Sequence, residues 1–270
     1  MTRVISPVVT RRVTMRFAVL CGIVALVQDF LPAAAQLGAQ SKPAPAKSAQ
    51  TGASPAKPAD LTGFPFTNES LAYTVNWPSG LPLGEAHLSA TGIGTGWRFE
   101  LSLDAGIPGF AVKDTYSSTA SAELCSETFS KDLSHGARKG SEKVTIDRET
   151  STATRTPANG VGSSKITVPD CVHDALTFLF YARRELGQGR VPTAQEVIFG
   201  ATYNASLQYA GAETIQVGDK RVLTDKVVCH IKGPASDIQF DAYFDRDAAR
   251  TPLYVRVPLA IGKFSLEIVR

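Results

Sequence analysis

Residues 71–77 read Leu-Ala-Tyr-Thr-Val-Asn-Trp, with a large apolar side chain at every odd position and a small or polar one between. Successive strand residues point to opposite faces, so this period of two marks a strand with one face buried and the other wet. The alternation returns in Ala86/Leu88/Ala90, Trp97/Phe99/Leu101/Leu103, Tyr203/Ala205/Leu207/Tyr209, Val227/Cys229/Ile231, Ile238/Phe240/Ala242/Phe244 and Phe264/Leu266/Ile268. Turns are expected at Pro78-Ser79-Gly80, the Gly92/Gly94/Gly96 cluster, Gly211, Gly218-Asp219, Gly233-Pro234 and residues 245–250. Short strands at this spacing favour a sandwich or barrel over a parallel sheet. Residues 117–156 are strongly polar, and only 143–146 and 150–154 carry weaker strand signals.

One segment breaks the pattern. Residues 171–186 are predicted as a helix, with Asp170 accepting the free amide protons of its first turn and Gly187 as the left-handed residue after its last. Val172, Leu176, Phe178, Leu179, Phe180, Tyr181 and Leu186 occupy more than one of its faces, so it needs cover on several sides. The predicted fold class is therefore mainly β: an antiparallel curved sheet, an open half-barrel or barrel, wrapped around one central apolar helix.

The N-terminus has the parts of a signal peptide: Arg11, Arg12 and Arg16, then an apolar run over 17–27, then Ala33-Ala34-Ala35 ahead of a cleavage site before Gln36. That run is too short to span a bilayer, which needs about twenty residues. The competing readings are an uncleaved anchor and a core helix. Arg11-Arg12 resembles a twin-arginine signal, although Thr14 stands where an apolar residue is usual. Residues 36–60 are rich in Ala, Pro, Ser and Lys and hold too few large apolar side chains to offset ordering entropy, so they are expected to be a disordered tether. The expected division is 1–35 signal peptide, 36–60 tether and 61–270 a single β-rich domain.

The formal charge of +3 belongs to the signal. Residues 1–35 hold four of the 28 basic and one of the 25 acidic side chains, which leaves 24 of each in the mature chain. That balance argues against a nucleic-acid partner, whose backbone is bound by clustered Lys and Arg. Cleavage also removes Cys21 and leaves Cys125, Cys171 and Cys229 in an oxidising compartment. Cys229 alternates with Val227 and Ile231 as a buried strand residue. Cys125 and Cys171 flank regular elements, in a loop and at a helix start, and are the expected disulfide.

No catalytic or metal motif stands out. Cys171 and His173 have the side chains of a zinc site or a thiol nucleophile and base, but two positions apart on a helix they diverge by about 200°. His135 lies in a stretch with the composition of a solvated turn, and His87 and His230 are read as surface residues. Asp245, Asp247 and Arg250 read as a charged turn rather than a calcium loop. There is no Gly-x-Ser-x-Gly, phosphate-binding loop or His-Glu-x-x-His. No metal or cofactor is predicted.

The pattern Leu71-x-Tyr73-x-Val75-x-Trp77, followed by Gly80, Pro82, Gly84 and Ala86, resembles the opening of a bacterial exported family, domain-of-unknown-function family 3108 (DUF3108). Asp174-Ala175-Leu176-Thr177-Phe178 to Tyr181, with Arg183 and Gly189, resembles its central helix. Residues 245–252 with Val257-Pro258, Gly262 and Phe264 to Leu266 resemble its last strands. The resemblance covers roughly residues 68–270. It implies export, an antiparallel β architecture akin to the open half-barrel of periplasmic lipoprotein carriers, and no assigned activity. Cys125 and Cys171 are not part of the resemblance.

The expected function is a non-enzymatic periplasmic carrier or binding module for a lipid or other apolar ligand, held in a concavity of the sheet. Its expected wall is Trp77, Phe99, Phe178, Phe180, Tyr181 and Phe240. The alternatives are an envelope structural or assembly protein whose aromatics fill a plain core, and an enzyme of unrecognised type.

Overall fold

The period-two pattern becomes fifteen strands in a computed structural model, which describes residues 68–107, 109–158, 160–259 and 262–270. The predicted signal peptide, the tether and the expected start of the domain at 61–66 lie outside the described residues. The first eight strands are β1 (Glu69–Asn76), β2 (Pro82–Ile93), β3 (Gly96–Ile107), β4 (Phe110–Ala120), β5 (Ser126–His135), β6 (Arg138–Asp147), β7 (Thr152–Pro157) and β8 (Ser164–Thr167). The short β9 (His173–Asp174), helix α1 (Ala175–Gly187) and β10 (Gln195–Ile198) follow. The chain ends with β11 (Thr202–Val217), β12 (Lys220–Gly233), β13 (Ser236–Asp245), β14 (Pro252–Leu259) and β15 (Gly262–Ile268).

All fifteen strands form one curved, open sheet made of two wings. In one, β1 to β8 pair in succession as antiparallel neighbours; in the other, β15 to β10 do the same. The wings meet where β1 pairs with β15, with Tyr73 opposite Ile268 and Val75 opposite Leu266. β9 pairs with β10 in parallel, and α1 supplies the crossover that a parallel pair requires. The outer end of the second wing returns to the first, where the Ser126 amide donates to the Val172 carbonyl at 2.9 Å.

The polar stretch 117–156 is regular sheet, most of β4 to β7. The inward positions of β4 to β6 include Asp114, Ser118, Lys131, His135 and Glu142, all buried beside Tyr116, Phe129 and Val144. Polar side chains on both faces conceal the alternation. Gly211 is not a turn: it sits at a bulge inside β11 with φ +107°, where the pairing slips after Tyr209. The other predicted turns separate strands as expected.

The helix starts four residues later than its sequence signals suggest. Its cap is Asp174, not Asp170: the Asp174 carboxylate accepts from the amides of Leu176 (2.8 Å) and Thr177 (3.1 Å), and the Thr177 hydroxyl accepts from the Asp174 amide (2.8 Å). The left-handed residue after the last turn is Gly189 (φ +74°), while Gly187 is still helical. No residue from Ala175 to Leu186 is exposed. Phe180 stacks on Phe99 with ring centres 4.1 Å apart, and both are fully buried. Leu179 and Leu186 belong to a second cluster with Val227, Cys229, Ala242 and Phe244. Arg183 breaks the apolar pattern, because it is fully buried too and makes a two-pronged pair with Glu69 of β1 at 2.7 Å on each arm.

Candidate functional site

An apolar crevice lies on the inner face of the first wing, where β1 and β3 end in their turns. Val75, Leu83, Ala105, Ile107, Phe110, Val112 and Phe264 line this space of about 20 Å³, room for one water at most. The crevice shares Leu83, Ala105 and Gly106 with a shallow depression of about 500 Å³. Thr74, Pro82, Glu85, Asp104, Ala111 and Val269 also line that depression. Gly84 lies in its wall because strands crowd there: a Cβ would fall 2.1 Å from the Asp104 carbonyl oxygen. Trp77 packs edge-on against Phe264 at 4.9 Å and so borders the crevice.

A buried ionic cluster lies on the inner face of β5 and β6. Lys131 meets Glu142 at 3.0 Å, and Arg155 donates from Nε to the other Glu142 oxygen at 2.7 Å. The β10–β11 turn closes over it. Lys131 lies 4.5 Å over the Phe199 ring, and a Cβ on Gly200 (φ +77°) would fall 1.9 Å from Glu142 Oε1. Burial lowers the Lys131 pKa, against the pull of Glu142, which raises it. Neither the crevice nor the depression is lined by Lys131, Glu142 or Arg155. The cluster therefore ties the second wing to the first.

His135 corrects the sequence reading. It is no solvated turn residue but the buried last residue of β5, its Nε2 2.7 Å from Asp114 Oδ1, while the Tyr116 hydroxyl donates to Asp114 Oδ2 at 3.1 Å. His87 is exposed and His230 half-exposed beside Asp237, as surface residues should be. The loop 246–251 does separate β13 from β14 as a charged turn, with Arg246 and Arg250 both on Asp225.

At the seam between the wings, Cys125 and Cys171 form a disulfide with a Cα–Cα distance of 4.8 Å, and Cys229 lies outside it, buried in β12. Beside it the Ser118 and Ser126 hydroxyls donate to the fully buried Asp174 carboxylate at 2.6 and 2.8 Å. Burial raises the Asp174 pKa, and these hydrogen bonds oppose it. His173 does not share a helix face with Cys171; it lies in β9, stacked on Tyr181 at 4.4 Å, with Nδ1 2.9 Å from Gln195 Oε1. Burial, above all, lowers its pKa from 6.5 to about 4, so it is neutral at neutral pH.

The six aromatic residues expected to form one wall fall into separate places. Phe99 and Phe180 are stacked core, Phe178 and Tyr181 gather around His173, Trp77 stands at the crevice, and Phe240 joins the second cluster. The crevice residues Leu83, Ile107 and Phe110 flank turns, where the alternation ends and no sequence signal separates a rim from a core. Among the described residues no group of three His, Cys, Asp or Glu could hold a metal. No helix among them is long and apolar enough to cross a membrane.

The strand order defines a mainly β protein, one large curved open sheet with one short helix. The chain belongs to the family described as "Protein of unknown function (DUF3108)", which matches residues 72–269. No curated protein matches it. Among solved structures it is similar to a β-barrel-like protein of domain of unknown function DUF1849 from Brucella abortus, with a TM-score of 0.50. Identity is 6%, over 76% of this chain and 97% of that one, so the likeness is one of fold alone.

Proposed function

We propose that the protein is an exported, non-enzymatic binding module of the cell envelope for an apolar, lipid-like ligand. Export rests on the charged, apolar and small-residue run of residues 1–35, with 36–60 as tether. In this reading the sheet wraps the helix, and the ligand enters at the turn-flanked crevice. Trp77 borders the entrance, while Phe99, Phe178, Phe180, Tyr181 and Phe240 pack elsewhere in the interior and do not line the crevice.

The observation that carries the reading is the apolar crevice at the turn-flanked end of the first wing, lined by the buried Val75, Ala105, Val112 and Phe264. Ligand sites usually measure roughly 300–1,000 Å³, so an apolar ligand would have to widen this crevice of about 20 Å³ as it enters. The second reading, an envelope structural protein with a plain core, is favoured by the fully buried Phe99–Phe180 stack.

Native mass spectrometry and solvent extraction of protein purified from the envelope fraction test the proposal. The wild type is expected to carry a co-purifying apolar molecule, and Leu83→Trp, which fills the crevice, to lose it. Phe180→Ala is expected to cost about 3–5 kcal/mol of stability in denaturant titration while leaving ligand binding in place. An empty extract from exported wild type, or equal loading of Leu83→Trp, would favour the structural reading.

A further inference from the structure

Beside the second wing, three arginines face one groove. It measures about 420 Å³ and lies between the segment after α1, the β11–β12 pair and the β13–β14 loop. Arg190, Arg246 and Arg250 line it, against a single acidic lining residue, Asp225. Arg246 donates to Asp225 Oδ1 from Nε (3.0 Å) and Nη2 (2.8 Å), and Arg250 donates to Oδ2 from Nη1 (2.6 Å). The Tyr209 hydroxyl also donates to Oδ1, at 3.1 Å. Arg190 is neutralised by Glu185, 2.8 Å away. One carboxylate thus answers two guanidinium groups, and the groove keeps a net positive charge.

Arg250 adds a second observation. Its Nε is buried and has no hydrogen-bond partner among the described residues, although buried donors are nearly always satisfied. Its backbone is left-handed, with φ +47°, a conformation that a non-glycine residue holds only when its surroundings require it. The surroundings are tight: its carbonyl accepts from the buried Arg183, and its Cγ lies 3.8 Å from where a Cβ on Gly187 would stand. Arg190 and Arg246 are by contrast well exposed, so a ligand from solvent can reach them. Exposed Tyr209 and Val191 add a flat ring and an apolar edge to the same groove.

We propose that this groove binds a phosphoryl group carried on a molecule with a flat or apolar portion that lies on Tyr209 and Val191. Guanidinium groups recognise oxyanions through paired N–H donors. A carboxylate is saturated by two such groups, as Asp225 is here, whereas a tetrahedral phosphoryl group offers oxygens to three from different directions. The site is separate from the crevice and does not depend on the binding of an apolar ligand there.

The test uses the mature chain with inorganic phosphate as probe, in isothermal titration and by chemical-shift changes. Saturable binding is expected, weakening as salt rises. Arg190→Gln with Arg246→Gln should reduce it by about tenfold or more, with melting temperature little changed, as for exposed charged pairs. Asp225→Asn should tighten it, since the competing carboxylate charge is gone; a purely structural latch would only lose stability. Sedimentation with vesicles of phosphatidylglycerol or of phosphatidylcholine separates the sources of the group. Co-sedimentation with phosphatidylglycerol alone, lost in the double arginine variant, assigns a lipid headgroup; its absence alongside phosphate binding assigns a soluble phosphoryl compound. No saturable phosphate binding together with no vesicle preference, or binding unchanged in the double variant, overturns the proposal.

Discussion

The two wings of the sheet solve the same problem with different chemistry. Each must bury its inner face. In the second wing that face is apolar, with Val227, Cys229, Ala242 and Phe244 against Leu179 and Leu186 of the helix. In the first wing the inner face of β4 to β6 carries Asp114, Ser118, Lys131, His135 and Glu142, each buried and each with a polar partner. An apolar face packs against any apolar surface. A polar face tolerates burial only when particular donors and acceptors arrive, so it fixes where the opposing chain must stand. The β10–β11 turn and Asp174 are the segments it fixes, and both stand at the outer end of the second wing.

This contrast has measurable consequences. The largest belongs to the ionic cluster: Glu142→Gln takes from the buried Lys131 its nearest counter-charge and is expected to cost about 3–5 kcal/mol in urea titration. A cost near zero would mean that the cluster is solvated and that the wings do not differ. Loss of the disulfide in Cys125→Ala/Cys171→Ala comes next, at roughly 4 kcal/mol by the loop-entropy estimate for its 46-residue separation. Hydrogen exchange in that variant should rise first in β9 and at the start of β5, which meet beside the bridge. Uniform exchange across both wings would show that the seam is no separate element.

Acid should weaken the same seam. His173 has its pKa lowered to about 4 from 6.5, so between these values the unfolded chain binds the proton and the folded one does not. Stability therefore rises with pH through that window and is lost as pH falls through it, by roughly 3 kcal/mol in all. The raised pKa of Asp174 works in the opposite sense, so the contribution is isolated by comparison with His173→Asn, whose pH profile should be flatter between about 4 and 6.5. Parallel profiles for the two proteins would place His173 in contact with solvent.

The same contrast decides what was legible in the sequence. β1 to β3 and the second wing could be read because their buried residues are apolar at period two. The helix could be read from its apolar run, although its start was misplaced. Asp170 and Asp174 are equally good caps on paper, and only the disulfide at Cys171 and the serines that hold Asp174 select the second. β4 to β7 were obscured because hydropathy cannot tell a buried Lys131 from a solvated one; the difference is Glu142, eleven residues away. The disulfide was legible from element boundaries and compartment. The crevice was not, since its rim residues depend on which turns meet across the sheet.

The central claim is that an apolar ligand enters beside Trp77, and the two tryptophans make it directly measurable. Trp77 touches Phe264 of the crevice, whereas Trp97 stacks near Phe99 at the opposite end of β3, roughly 30 Å from Ile107 along a strand of 3.3 Å per residue. A fatty acid brominated near its chain end quenches tryptophan fluorescence only on contact. Titrated into Trp97→Phe it should quench Trp77 saturably, and titrated into Trp77→Phe it should leave Trp97 unchanged. Quenching of Trp97 with Trp77 unaffected, or of neither, would contradict binding at the crevice.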